Sequence, residues 1–282
     1  MLVDFASRPP LPEFSKTGAH LSNYRRVYEK SEKLTVGSDA GQALDNYLAM
    51  YERIGTKVVV LKARDLESTF GFAITNKDVA AFCRAHGPRF IGFAGVDPYK
   101  TDAVSELDFA INELGLRGLN IQCFEHLMNA DDRRLYPLYE KCIELDIPVN
   151  IHCGVNFARP APMTHGRPES IDRVLVDFPT LRVCASPPGW PWVNELIAVA
   201  MRHPTLFIGL VAVRPKLLAT DGSGYEPLLQ YGRTLLADRM IFGSSFPLVP
   251  VGRSIEEIRA LPIPGDVQEK WLGANAAVFL KL

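Results

Sequence analysis

Strands and helices that alternate eight times along an α/β chain predict a (β/α)8 TIM barrel, here a single domain over residues 1–282. Short β-branched or apolar runs mark the strands, and stretches with apolar residues at helical spacing separate them. No G-x-G-x-x-G or G-x-x-x-x-G-K-[ST] loop follows a strand. That weakens the competing arrangement, an open doubly wound sheet built to hold a nucleotide.

The strand runs fall at 2–5, 57–61, 90–96, 116–122, 148–152, 181–184, 206–211 and 240–243. Helical patterns cover 42–54, 76–86, 103–114, 132–145, 171–177 and 194–203. Asn76 and Asp131 stand where an N-cap is expected, because their side-chain oxygens can accept the first free backbone N–H groups. Residues 8–33 hold Pro9, Pro10, Pro12 and Gly18 with little periodicity. They read as a long loop after strand one, with one short helix near 24–29. Residues 156–168 (NFARPAPMTHGRP) form a second long loop, after strand five. Loops this long in a compact domain tend to be lids or binding loops. Both are expected at the carboxyl ends of the strands, where barrels place their chemistry.

Hydrophobic residues make up 47% of the chain and charged ones 22%, enough for a sizeable core. A net charge of −1 argues against a nucleic-acid partner. No apolar stretch approaches the ~20 residues of a membrane span, and the first residues do not read as a signal peptide. Five cysteines, none in C-x-x-C spacing, suit a reducing compartment better than a disulfide framework. The expectation is a cytoplasmic protein that takes a small anionic organic substrate, with neither nucleic acid nor membrane as partner.

Four segments carry a family likeness: 3–10 (VDFASRPP), 149–154 (VNIHCG), 181–192 (LRVCASPPGWPW) and 240–250 (MIFGSSFPLVP). Their order and phrasing resemble the amidohydrolase-2 family, the TIM-barrel relatives of aminocarboxymuconate-semialdehyde decarboxylase. FIGFAGVDP, LRGLNIQCF and GANAAVFL are similar to family segments as well, so the likeness spans almost the whole chain. The resemblance implies the barrel. It also implies a divalent metal, held in the family by D-x-H-x-H-P on the first strand, C/A-H-x-G-G on the sixth and G-S-D-Y-P on the eighth. The matching positions here are Ala6 and Arg8, Ala185, and Ser245, and only His152 remains of the usual set. No two histidines are spaced as H-x-H or H-x-x-x-H. The chain is therefore identified as a divergent member lacking most metal ligands, with neither metal nor other cofactor expected.

Residues at the strand ends supply the candidate site. His152 ends strand five, and an imidazole suits proton transfer at neutral pH; the alternative is a hydrogen-bonded barrel histidine. Arg8 replaces a family histidine. A guanidinium repels a cation and can grip a carboxylate through two parallel hydrogen bonds, so an anion site replaces a cation site. His152 and Arg8 are the catalytic candidates. Lys62, Arg64 and Arg214 would make the mouth positive, unless Asp65, Glu67 or Asp221 neutralise them. Asn120, Gln122 and Asn150 offer uncharged hydrogen bonds to a substrate, or simply fill a polar layer. Ser245 takes the position of the eighth-strand Asp, but a hydroxyl needs an adjacent base to act. Trp190, with Trp192, gives rigid aromatic surface for a flat substrate or for a homodimer contact. Asp97 reads as a turn residue before Pro98, and Cys184 as barrel filling.

Three functions fit these residues. The first is metal-independent hydrolysis of a lactone or ester-like bond in a small carboxylate-bearing substrate. The second is a decarboxylase or other lyase on a related aromatic or unsaturated acid. The third is a non-catalytic relative that kept the pocket for ligand binding.

Overall fold

The computed structural model describes residues 1–23 and 40–282. Eight parallel strands form its centre: β1 (Val3–Ser7), β2 (Val58–Lys62), β3 (Phe90–Phe93), β4 (Leu119–Ile121), β5 (Val149–His152), β6 (Val183–Ser186), β7 (Leu206–Leu210) and β8 (Met240–Phe242). β1 pairs with β2 and β2 with β3, while β4 to β8 run as one parallel sheet. Two bridges close the ring, Ala94 to Leu119 between β3 and β4 and Ser7 to Phe246 between β8 and β1. All eight expected strands are present.

One helix follows each strand: α1 (Ala40–Ile54), α2 (Asn76–Ala85), α3 (Ala103–Asn112), α4 (Tyr136–Glu144), α5 (Pro168–Asp177), α6 (Val193–Arg202), α7 (Glu226–Gly232) and α8 (Val251–Arg259). Their apolar faces and the outer faces of the strands make one core. A second core fills the barrel itself with Val3, Phe5, Val60, Phe93, Cys184, Phe207 and Ile241. The helix Asn275–Leu280 plugs the lower end, with Phe279 edge-on to Phe5 at 5.6 Å and against Phe207 at 5.1 Å. Each such ring removed from water contributes about 1.5–3 kcal/mol. With the lower barrel sealed by apolar groups, the buried polar residues inside the barrel, among them Asn120, Asn150, His152 and Ser186, lie at the opposite end.

Three local features differ from expectation. Thr75, not Asn76, caps α2 by accepting the Asp78 amide at 3.0 Å. Asn76 lies inside the first turn, where it donates to Glu106 at 2.7 Å and accepts the Gly95 amide at 2.9 Å; it ties β3's exit to α3. Asp131 caps nothing, since α4 begins at Tyr136, and its carboxylate pairs with Arg173 instead. An unforeseen antiparallel hairpin, Arg64–Leu66 with Phe72–Ile74, follows β2. The long first loop folds into short 3-10 turns at Pro12–Phe14 and Ala19–Leu21, while the helix expected near 24–29 lies outside the described residues.

A register shift between Asp4 and Ser7 sets up the mouth. The bulge brings Ala6 as well as Phe5 into the inner cluster. Arg8, two residues on from Ala6, then exits on the same face.

Candidate active site at the barrel mouth

Lys62 ends β2 on the face of Val60 and points into the barrel. Its Nζ donates to Asn150 Oδ1 at 3.1 Å and stands 4.3 Å above the Phe5 ring. Asn150 Oδ1 also accepts the Ser186 hydroxyl at 2.7 Å. Asn150 Nδ2 donates to Asn120 Oδ1 at 2.9 Å, and Gln122 Nε2 donates to the same oxygen at 3.1 Å. Asn120 Nδ2 in turn donates to the Ala63 carbonyl at 3.0 Å. One polar layer therefore spans β2, β4, β5 and β6. Gly209 on β7 leaves it room, because a β-carbon there would come within 2.6 Å of Ser186 Cβ. Among the described residues no carboxylate pairs with Lys62. Burial lowers its ammonium to about 8, against the weaker pull of Cys184 and Asp4.

Asp4 is sealed off. Its carboxylate accepts the Ser244 amide (2.7 Å) and hydroxyl (2.6 Å), the Tyr51 hydroxyl (2.7 Å) and the Ala6 amide (3.2 Å). Burial pushes this carboxyl up, and the bonds from Ser244, Tyr51 and Ala6 oppose it.

Beside this layer lies a second buried cluster. Glu125, in the turn after β4, has no exposed surface. Arg64 Nη1 reaches both its oxygens, at 2.9 and 3.0 Å, and His20 Nε2 lies 3.1 Å away. His20 stacks on Phe70 with ring centres 3.7 Å apart. Burial alone would raise Glu125, but the charge of Arg64 and the bond from His20 outweigh it and bring the carboxyl to about 2. Arg8 sees both groups. It is reachable by solvent, yet protein surrounds it, as expected of a side chain standing in an open well. Crowding and the like charge of Arg64 lower it to about 10, with Glu125 pulling the other way, so it stays cationic at neutral pH.

His152 lies beneath the Phe124 ring, 4.5 Å away and edge-on. Phe124, Ala158, Ala161 and the partly buried Leu21 form a small apolar cover there. Burial drives the imidazole to about 4, against Glu125 and the Val155 backbone, so it is neutral at pH 7. Its Nδ1 is buried without a hydrogen bond among the described residues. His126, next to Glu125, is buried and lowered to about 4 in the same way. After β5 the chain turns at Gly154 (φ 105°), whose amide meets the Gly166 carbonyl at 2.7 Å and draws the second long loop back over the mouth.

The structure thus joins Lys62, Asn120, Gln122 and Asn150 in one network, and it places Arg8 and His152 in the field of Glu125. Three other candidates stand apart. Arg214 is engaged by Glu257 of α8. Trp190 stays exposed, with its indole against Gly224. Ser245 adopts φ 56°, its amide meets the Ala6 carbonyl at 2.7 Å, and among the described residues no base bonds its hydroxyl. Arg64 pairs with none of the acids expected for it, because Asp65 and Glu67 hold Lys100. Asp97 is the turn residue expected, accepting the Ser68 and Tyr99 amides at 2.8 and 3.0 Å. Glu125 escaped sequence reasoning, while His20 and His126 fall in loops on the strand-end side but carried no expected role; the one available signal for Glu125 was an acid directly after a strand end, in CFEH. A hollow of about 400 Å³ between α5 and α6 lies on the outer helix ring, and its charges are matched by pairs such as Arg167–Glu195 and Arg202–Asp172.

The residues present do not fit the divalent metal implied by the resemblance. Ala6 and Ala185 carry no donor, Arg8 carries a like charge, and Ser245 offers a neutral hydroxyl. Among the described residues, no group of three or more His, Cys, Asp and Glu side chains could hold a metal ion.

A closed parallel barrel with a polar layer and cations at the carboxyl end of its strands has the plan of a barrel enzyme. The sequence model of the Amidohydrolase family (Amidohydro_2) matches residues 12–282, and the chain belongs to that family. A 2-keto-4-carboxy-3-hexenedioate hydratase from Sphingobium sp. is 33% identical over 98 residues, 29% of this chain and 28% of the relative. A 2-amino-3-carboxymuconate-6-semialdehyde decarboxylase from Dictyostelium discoideum is 26% identical over 237 residues, 73% of this chain and 65% of the relative. The chain thus matches less than two thirds of the length of either curated relative. A crystal structure of an uncharacterized TIM-barrel protein from Bordetella bronchiseptica superposes with a TM-score of 0.82 at 32% identity, over 99% of this chain and 98% of that one. No helix among the described residues is long and apolar enough to cross a membrane.

Proposed function

We propose that this amidohydrolase-family chain is a lyase that decarboxylates a small carboxylate-bearing substrate without a metal ligated at the mouth. The observation that carries the reading is a pair of cations, Arg8 and Lys62, for which the described residues supply no carboxylate partner. They leave neighbouring strands one residue beyond the paired positions Ser7 and Leu61. In this reading Arg8 grips the carboxylate in a bidentate contact. Lys62, Asn150 and Ser186 face the remainder of the substrate and draw electrons as carbon dioxide departs. His152, uncharged at pH 7, relays a solvent proton to carbon, taking one up at one ring nitrogen as it gives one from the other.

Hydrolysis, the first expectation from sequence, asks for a base that activates water. The geometry supports that less well. Glu125 is committed to Arg64 and held near 2, His152 is held near 4, and Asp4 is sealed from the mouth. Decarboxylation needs an electron sink more than a base. Of the two curated relatives, the one that is a decarboxylase by name lends the same support, and the hydratase supports only the broader lyase class.

The test is a panel of aromatic, unsaturated and oxo carboxylic acids run beside a panel of lactones. Carbon dioxide release from at least one acid is expected, with Arg8→Ala raising KM. Lactone opening with no acid losing carbon dioxide would sink the reading and restore the hydrolase. No turnover in either panel, with binding retained, would favour a non-catalytic receptor.

A further inference from the structure

We infer that Lys62 forms an imine with a carboxylic acid whose carbonyl lies β to the carboxylate, which makes the barrel mouth a site of covalent catalysis. The decarboxylation step rests on the proposed lyase function; the imine itself does not.

The geometry supports a nucleophile here rather than a structural lysine. Lys62 ends its strand inside the barrel, and its only hydrogen bond among the described residues is to the neutral Oδ1 of Asn150. A buried ammonium held for structure is normally met by a carboxylate. Arg64, two residues on, shows that arrangement with Glu125. Among the described residues Lys62 has no such partner, so burial favours its neutral form, and an amine near 8 is about one-tenth neutral at pH 7 and about half neutral at pH 8. Asn150 Oδ1 fixes the direction of Nζ, with the Ser186 hydroxyl donating to the same atom. Arg8, on the adjacent strand, would hold the acid's carboxylate.

The chemistry closes without oxidant or reductant. Neutral Nζ attacks the carbonyl carbon, the two amine protons leave with the carbonyl oxygen as water, and C=N replaces C=O. A proton from solvent makes the iminium. The bond between the α-carbon and the carboxylate breaks, its electron pair forms the enamine, and carbon dioxide leaves. The α-carbon then takes a proton, and water hydrolyses the iminium to release the ketone and restore the amine.

The experiment treats the full-length protein with acetoacetate or oxaloacetate, reduces with sodium borohydride, and maps the adduct by peptide mass spectrometry. The expected result is a secondary amine on the peptide holding Lys62. Its added mass is that of the acid, or of its decarboxylated product, less one oxygen atom, with exposed Lys57 and Lys281 unlabelled. Lys62→Arg, which keeps the charge, should abolish trapping and lower kcat roughly 100-fold or more while leaving KM little changed. No adduct on Lys62, or a label spread evenly over surface lysines, overturns the imine. Carbon dioxide release without an adduct removes the imine and keeps the lyase; an adduct without carbon dioxide release does the reverse.

Discussion

Lys62 and Arg64 leave β2 two residues apart, both basic and both largely withdrawn from water, yet the barrel treats them oppositely. Arg64 meets Glu125 through Nη1, which reaches both carboxylate oxygens, and His20 reinforces the pair. Among the described residues Lys62 meets a neutral amide oxygen, Asn150 Oδ1, and the face of the Phe5 ring. In the first cluster, the opposite charge of Arg64 and the bond from His20 outweigh burial and hold the Glu125 carboxylate ionised, so it is committed to its partners. In the second, burial outweighs the weaker pull of Cys184 and Asp4, and the amine is pushed toward neutrality. The side chain without a counter-ion is the better candidate for reaction.

Breaking the first cluster should produce the largest effect. Glu125→Gln strands Arg64 in a dry site, and a loss of about 3–5 kcal/mol in unfolding free energy is expected by urea denaturation. A double change of Arg64→Met and Glu125→Met should recover most of that loss, since it is the uncompensated charge that costs stability. The wild type should also carry an acid signature. Glu125 sits near 2 when folded against an ordinary value of 4.5. The unfolded chain therefore binds the extra proton between those values. The stability from this group is complete above about pH 4.5 and is lost as pH falls toward 2. A wild-type stability curve that matches Glu125→Gln below pH 4.5 would contradict the assignment.

Arg8→Ala comes next. It removes an exposed cation that has no ion-pair partner among the described residues, so stability should shift by no more than about 0.5 kcal/mol. Affinity for a carboxylate substrate should fall by about 1.5–3 kcal/mol, read as KM or by calorimetry. A large fall in stability instead would make Arg8 part of the fold.

The smallest effect has the most telling sign. Lys62→Met should raise stability at pH 7, by about 1 kcal/mol or more. Lys62 sits near 8 when folded against 10.5 normally. The charged form is thus disfavoured in the fold at pH values below about 8, and that penalty fades as pH rises to 10.5. The advantage of the methionine variant should shrink across the same window. A variant less stable than wild type at pH 7 would mean that the ammonium is well compensated.

The barrel was legible because it is written locally. Runs such as 57–61 and 148–152 are short, apolar and bounded, and burial on both faces leaves no other pattern open to them. Lys62, Asn120, Asn150 and His152 were legible for the same reason, since period-2 alternation at a strand end places them at the mouth. The Glu125 cluster was not. Its members come from the first loop (His20), the turn after β4 (Glu125) and the hairpin after β2 (Arg64), far apart in sequence and with no shared period. Arg64 was therefore expected to find Asp65 or Glu67, which instead hold Lys100. The Asn76 cap failed for a related reason: Thr75 is an equally good local cap, and Asn76 was needed to bind Glu106 and Gly95 across elements.

The contrast between the two basic side chains can be read directly by titration. Lysine labelled at Cε with carbon-13, followed by NMR from pH 6 to 12 and assigned through Lys62→Arg, reports the ionisation of Lys62 in the folded protein. A midpoint close to 8, well separated from the exposed lysines, is the predicted result. A Lys62 that titrates with them near 10.5 would show a solvated or paired ammonium and would contradict the account.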